Sequence, residues 1–532
     1  MPKGVIRFIV TCLALCFVAA FLPPLPVQAT TETLNVMDFG AVGDGVTDDH
    51  EAIQSAIDAA SAGEGGGIIT FPAGTYLAGD LIILKSNITV LLDDEATIVN
   101  GINYSSGPSI VFLTGPFTRD AAKHTWDGVE NVTFRGGTID MNGQLTADRS
   151  GARNLPKVNS ANAFALGYSK NIRIENVTFL NNYKGHALQI CACDGVTITG
   201  CTFKGQSLPN FLTDDQTKNL ELIQIEPSTA KGFPYAANDT GEASRNIIIE
   251  NCYFGASDLC GEPSVAIGTH SQAAAAKKCH DITIRSNTFD NMRFSGIRFC
   301  GYEDVTIKGN TFIKKTEAES VNYRAEGCHL INAYCCDSTT TELDMNRRIT
   351  IDGNVFKIAD PVTRAIRVTR DKETYLGKVT DITITNNRIT NTSTGSKDMA
   401  IQALRISDNL TITGNTVNGG YRGIEVQYCT GDITMANNRV SGQEYQFVRF
   451  IGCGDNQKIY FHTHGDGTLE VRTANNTYTV TAVPNAGHQF SAYYKENALT
   501  SLVTTNPKQT VAVNWNGAYY RRHPVFEACT VS

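Results

Sequence analysis

The stretch "DITIRSNTFDNMRFSGIRFCGYEDVTIKGNTF", Asp281 to Phe312, nearly repeats itself: "DITIRSNTF" returns as "DVTIKGNTF" after a step of 23 residues. Aligned on one apolar residue, nine segments share the pattern. They are "IRIENVTF" from Ile172, "VTITGCTF" from Val196, "IIIENCYF" from Ile247, "ITIRSNTF" from Ile282, "VTIKGNTF" from Val305, "ITIDGNVF" from Ile349, "ITITNNRI" from Ile382, "LTITGNTV" from Leu410 and "ITMANNRV" from Ile433. The alternating apolar run in each predicts a short strand with every other side chain inward. An Asn, Gly or Ser follows (Asn176, Gly200, Asn251, Ser286, Gly309, Gly353, Asn386, Gly414, Asn437), mostly types that tolerate a left-handed turn. The next column holds Asn287, Asn310, Asn354, Asn387, Asn415 and Asn438, and two residues on stand Phe179, Phe203, Phe254, Phe289, Phe312 and Phe356. Stacked turn asparagines can bond from coil to coil, and stacked phenylalanines can fill an interior. One such unit cannot bury its own apolar face, so successive units must stack. The expected fold is all-β, a parallel β-helix of about ten or more coils; a leucine-rich repeat is excluded by the missing leucine consensus.

Before the repeats, Lys3 and Arg7 precede the apolar run "FIVTCLALCFVAAFL" and the small residues of "PPLPVQA". This reads as a secretory signal peptide over residues 1–29, too short in its apolar run for a membrane span. An extracellular protein with no transmembrane segment is expected. Losing Lys3 and Arg7 takes the net charge from −8 to −10, which argues against a nucleic-acid partner. Of 15 cysteines, Cys12 and Cys16 leave with the leader; the odd 13 that remain exclude a fully paired disulfide scaffold. Cys201 and Cys252 fall in the asparagine column, where stacking brings Cα atoms within disulfide range, so a bridge and two buried thiols are both open. Cys191, Cys193, Cys335 and Cys336 lack a metal-ligand set and read as structural.

The segment "VTDDHEAIQSAIDAAS" supplies a capping helix, with a capping box from Asp48 to Glu51 and an apolar stripe of Ile53, Ala56, Ile57 and Ala60. Together with "NVMDFGAVGDGVTDD" and "GGGIITFPAGTYLAGDLIIL", it resembles the opening of the pectate-lyase superfamily, in particular the rhamnogalacturonase/epimerase-like group. That resemblance implies a right-handed β-helix, here over residues 30–452, and activity on polysaccharide as lyase, hydrolase, epimerase or depolymerase. Residues 453–532 alternate without the ladder pattern. In "YTVTAVPNAGHQF" and "HPVFEA" they are similar to the divergent InlB B-repeat of bacterial surface proteins, which implies a small β module for cell-surface association. His462 and His464 within it are more simply two exposed strand histidines than a metal pair.

A further strand precedes each repeat segment, and its outward position reads Gln189, Gln224, Ala266, Arg298, Arg367, Arg405 and Glu425. Small residues two positions earlier (Ala187, Ser264, Gly296, Ala365, Ala403, Gly423) would leave a shallow floor. His186 and Glu221 share another column, with Glu226 and His270 near the far edge. The long connections "GQSLPNFLTDDQTKN" and "PSTAKGFPYAANDTGEAS" on either side of the Glu221–Glu226 strand suggest the walls of a cleft. "GHALQI", "ELIQIE" and "GTHS" also resemble a set of exported bacterial β-helix proteins, which supports the location of the site.

The candidate catalytic residues are therefore His186, Glu221, Glu226, His270 and Arg298, and the candidate substrate-binding residues Gln189, Gln224, Arg293, Arg367 and Arg405. A lyase would use His186 as base, oriented by Glu221, with Arg298 or Arg293 neutralising a uronate carboxylate. A hydrolase would pair carboxyl groups; Glu221 and Glu226 lie about 16 Å apart along a strand, so Asp214 or Asp215 would be the better partner of Glu221. The arginine column, with Arg364 and Arg422 nearby, reads as a basic strip that favours an acidic polysaccharide. The polygalacturonase signature set is absent. Ca²⁺ is the cofactor that acidic groups here could take, although no calcium-loop motif appears. Two functions stand: cleavage of an acidic polysaccharide, and non-catalytic glycan binding or adhesion. Satisfied charge pairs on a flat face would favour the second.

Overall fold

The computed structural model describes residues 32–102, 109–114, 128–143, 161–207, 220–229, 233, 241–269, 277–316, 328–335, 344–395, 398–453, 458–462, 467–474, 477–484, 488–494, 502–505, 507–512 and 520–528. The leader, His270, Asp214, Asp215, Cys336, His464 and the side chain of His462 lie outside the described residues.

Each coil lays one strand in each of three sheets. Tyr302–Lys308 joins sheet A, Thr311–Lys314 sheet B and His329–Cys335 sheet C, before Asp344–Asp352 returns to sheet A. Among the described residues sheet A has 13 strands and sheets B and C have 16 each, stacked as a right-handed parallel β-helix. The turn from A to B explains the repeat. All nine Asn, Gly and Ser residues of the turn column have left-handed φ, from 54° at Asn176 to 69° at Gly414. The next residue is the buried asparagine of the ladder. Asn310, for example, accepts the Asn287 N–H at 2.9 Å, and donates from Nδ2 to the Ile284 carbonyl at 2.9 Å and to Asn354 Oδ1 at 3.0 Å. Cys201 and Cys252 occupy the same seat as free buried thiols, and their Sγ atoms donate to the Ile174 and Ile198 carbonyls as an asparagine amide would. Cys191, Cys193 and Cys335 are also buried thiols, while Cys300 is disulfide-bonded.

Inside the helix the phenylalanines stack in one file. Centroid spacings from Phe179 through Phe356 run from 4.6 to 5.0 Å with nearly parallel rings, which is the spacing of the rungs themselves.

The capping helix spans His50–Ala62 and buries Ile53, Ala56, Ile57 and Ala60, the expected stripe. The expected capping box does not form. The N-cap is Asp49, not Asp48, and it makes no side-chain cap bond. Its carboxylate instead receives the N–H groups of Val42 and Gly43, and Asp48 is drawn to the N–H groups of His50 and Gly79. The entering loop needs those acceptors more than the helix does.

At the other end, two sheets finish in antiparallel strands. Lys458–His462 pairs with the last sheet C rung, Gln446–Ile451, and Gly467–Ala474 with Asn438–Ser441 of sheet B. These strands cover edges that would otherwise template further pairing.

The outer face of sheet A carries a threonine column, Thr283, Thr306, Thr350, Thr383, Thr411 and Thr434, flanked by ion pairs between coils. Arg245 pairs with Asp194 at 2.9 Å, Arg347 with Glu303 at 2.8 Å and Arg135 with Glu175 at 2.6 Å. Burial pushes the carboxyls of Asp194, Glu303 and Glu175 up, but their arginine partners more than reverse this and hold all three below their usual values. Carboxylates lowered on folding stabilise the protein above their unfolded pKa and lose that contribution as pH falls through the folded values. The melting temperature should therefore hold from neutral pH to about pH 5 and fall steadily below about pH 4. Thermal melts across that range, with Arg347→Ala showing a smaller acid-induced drop, check this.

Candidate functional site

Sheet C carries the candidate site, and its register revises the predicted column. Gln189 is in register with Gln224, then Gly268, Arg298, Asn332, Arg367, Gln402, Glu425 and Arg449. Ala266 does not belong to this column; it is fully buried in the core, and Gly268 holds the outward place. Nor does Arg405, because Ile401 and Ala403 are the buried pair of that rung and leave Gln402 outward between them. Arg405 lies just past the strand with φ 55°. A whole rung, His329–Cys335, was absent from the alignment because an insertion separates it from the preceding repeat.

The small residues are not the floor of a cleft. A Cβ at Gly296 would lie 2.7 Å from the Phe312 ring, and one at Gly423 2.3 Å from Val440 Cγ1. Ala187, Ala365 and Ala403 belong to the core, and Ser264 is buried. They are small because the inner corner is already full.

His186 and Glu221 do come together, through the main chain of Glu221. His186 Nδ1 meets the main-chain carbonyl of Glu221, not its carboxylate. A carbonyl can only accept, so Nδ1 carries the proton there. The Glu221 carboxylate, fully buried, faces Arg298 Nη1 at 3.4 Å, and the Arg298 guanidinium lies 4.6 Å from the centre of the Tyr334 ring. Tyr334 was missed by sequence. It is 8% exposed, its hydroxyl has no hydrogen-bond partner among the described residues, and burial pushes its pKa up to about 12. Glu226, also buried, accepts from Thr269 Oγ1 at 3.3 Å, and Gln189 Oε1 accepts from Asn162 Nδ2 at 3.1 Å. Gln224 is buried beside Gln189. Arg293 is buried before the Ser295–Phe299 strand, with its N–H on the Pro263 carbonyl.

The basic strip is largely neutralised. Arg298 has Glu221, Arg364 has Asp398 at 3.0 Å, Arg449 has Glu425 at 3.1 Å, and Arg367 bonds Asp371 together with Asn332 Oδ1. Sequence reasoning could not place these partners, because Asp371 and Asp398 stand on turns outside the repeat. The loops read as cleft walls lie largely outside the described residues. Among the described residues no group of three or more His, Cys, Asp or Glu side chains could hold a metal ion, and no helix is long and apolar enough to cross a membrane.

Comparison with known proteins agrees with this architecture. Residues 33–93 match the family described as rhamnogalacturonase A/epimerase, pectate lyase-like. Plasmin and fibronectin-binding protein A of Streptococcus pneumoniae is 47% identical over 447 residues, 84% of this chain, which spans 62% of that protein's length. A probable polygalacturonase of Vitis vinifera is 31% identical over 167 residues, 29% of this chain and 34% of that protein. The crystal structure of PfbA, a surface adhesin of Streptococcus pneumoniae, superposes with a TM-score of 0.78 at 46% identity, covering 85% of this chain and 99% of that one. The chain belongs with the right-handed parallel β-helix proteins of which the pneumococcal adhesin PfbA is one, and its residues 33–93 carry the rhamnogalacturonase A/epimerase, pectate lyase-like pattern.

Proposed function

We propose that this chain is an exported, surface-associated adhesin that uses its β-helix to bind a ligand without cleaving it. One observation carries the reading: the arginines along sheet C are largely neutralised by the protein's own carboxylates, Arg298 by Glu221, Arg364 by Asp398, Arg367 by Asp371 and Arg449 by Glu425. A lyase needs a cation available for the substrate carboxylate and a base held for proton abstraction. Arg298 instead neutralises Glu221, so the cation a substrate carboxylate would need is already engaged. The similarity to the pneumococcal adhesin supports the same conclusion, and by analogy with that relative's name the ligands proposed are plasmin and fibronectin. Residues 30–452 would present the ligand face, and 453–532 would form a small module serving attachment.

The test is biolayer interferometry of the purified 30–532 chain on immobilised fibronectin and plasmin. In parallel, polygalacturonate and alginate are assayed for new reducing ends and for the ultraviolet absorbance of unsaturated uronates. Saturable binding without product is expected. Product that disappears in His186→Ala would overturn the adhesin reading and install cleavage of an acidic polysaccharide in its place.

A further inference from the structure

Where the strands of sheet C end, the chain turns a corner toward sheet A. In four successive coils the residue at that corner is Arg370, Arg405, Tyr428 and Gly452, following the register of Thr369, Leu404, Gln427 and Ile451. Gly452 is left-handed, φ 61°, as a glycine there can be without strain. Arg405 and Tyr428 are left-handed too, at 55° and 51°. Large side chains rarely take that conformation, but this corner imposes it, being left-handed at Ala192 and Gly301 of other coils as well. What sets Tyr428 apart is its exposure. Tyr168, left-handed at the corresponding corner of an earlier coil, is fully buried against Ser228, whereas Tyr428 is 47% exposed.

The surroundings point to a ligand. The Arg405 guanidinium lies 5.0 Å from the centre of the Tyr428 ring, and a Cβ on Gly452 would stand 2.5 Å from that ring, so the tyrosine is held from both neighbouring coils. Leu376, on the adjoining turn, is 41% exposed. Arg405 donates to the Asp371 carbonyl and Arg370 to the Tyr375 carbonyl, while Lys372 lies over the Tyr375 ring. Unlike the arginines of the sheet C face, Arg370, Lys372 and Arg405 have no carboxylate partner among the described residues. An acidic protein thus keeps three cations that form no ion pair among the described residues beside two exposed apolar side chains, with one exposed carboxylate, Glu373, on the same turn.

We propose that this corner is a docking site for an acidic polypeptide segment carrying aliphatic or aromatic side chains. Its carboxylates would meet Arg370, Lys372 and Arg405, and its apolar groups would cover Tyr428 and Leu376. A uronate chain supplies the carboxylates and C–H ring faces that can stack on Tyr428, but no aliphatic side chain to cover Leu376. Tyrosine and arginine are the residues that most often dominate such contacts. The inference rests on the binding reading above and names the surface and partner chemistry for it.

The double variant Arg405→Gly/Tyr428→Gly separates function from structure, because glycine relaxes both left-handed seats. Its melting temperature should equal or exceed that of the parent chain. Fluorescence polarisation would follow a labelled five-fold Asp-Glu-Phe repeat peptide, and interferometry would follow fibronectin and plasmin. The parent chain should bind the peptide with an affinity that falls as salt is added, and the variant should bind peptide and host protein at least about tenfold more weakly. Host-protein binding that survives intact in the variant would overturn this site while leaving the adhesin reading standing. Peptide binding without host-protein binding would support the site and remove that reading. Equal displacement of the peptide by polygalacturonate would overturn the assignment of a polypeptide partner, and a lowered melting temperature with unchanged binding would make the two side chains structural.

Discussion

Phe312→Ala should lower the unfolding free energy by about 3–5 kcal/mol, the range for deleting a fully buried aromatic ring. Phe312 sits in mid-file, with Phe289 at 4.6 Å and Phe356 at 4.8 Å, so truncation removes two stacked contacts and opens a void between fixed rungs. The rungs cannot close on that void, because the asparagine ladder pins the turn on the same coils. Gly296 makes the test specific. Alanine there places a methyl against the Phe312 ring and should destabilise the parent chain, yet the same methyl should partly fill the space left in Phe312→Ala. Chemical denaturation of the two single variants and the double should therefore give a favourable coupling energy. Strict additivity would mean that the corner does not pack as described.

Arg298→Ala should cost about 3–5 kcal/mol, as is usual when one member of a buried ion pair is removed. Glu221 is fully buried and Arg298 largely so, and the arginine also covers the Tyr334 ring. Removing the cation takes the opposite charge at 3.4 Å away from a fully buried carboxylate. Replacing both partners, as in Glu221→Leu/Arg298→Met, should recover most of the loss, because the desolvation penalty disappears along with the attraction. Equilibrium unfolding of the three variants checks both statements. The result bears on function as well. A substrate-neutralising arginine would be nearly silent in stability and decisive in turnover, and a structural one the reverse.

The candidate site was legible in outline. Gln189 beside Gln224, and His186 beside Glu221, follow from counting along two rungs whose inward isoleucines align. Past the insertions counting still placed Arg298, Arg367 and Glu425, but it misplaced Ala266 and Arg405 and skipped a rung. In "MAIQALRI" two apolar pairs compete for the inside, and only the packed rung shows that Ile401 and Ala403 take it and that Arg405 turns the corner. Tyr334 was missed for a related reason: its rung follows a long insertion, and no periodic mark announces it.

The sequence by itself determined the coil, its left-handed turn, the asparagine ladder and the phenylalanine file. Each is a local pattern that translation by one rung copies onto its neighbour, so a single repeat predicts its own contacts. Only the tertiary structure decided which outward groups meet, since those contacts join residues that share no repeat position. Arg298 and Glu221 stand 77 residues apart, and the acids facing Arg367 and Arg364 come from turns outside the repeat. Periodicity determines what every coil has in common; the charge pairs on sheet C depend on what each coil has alone.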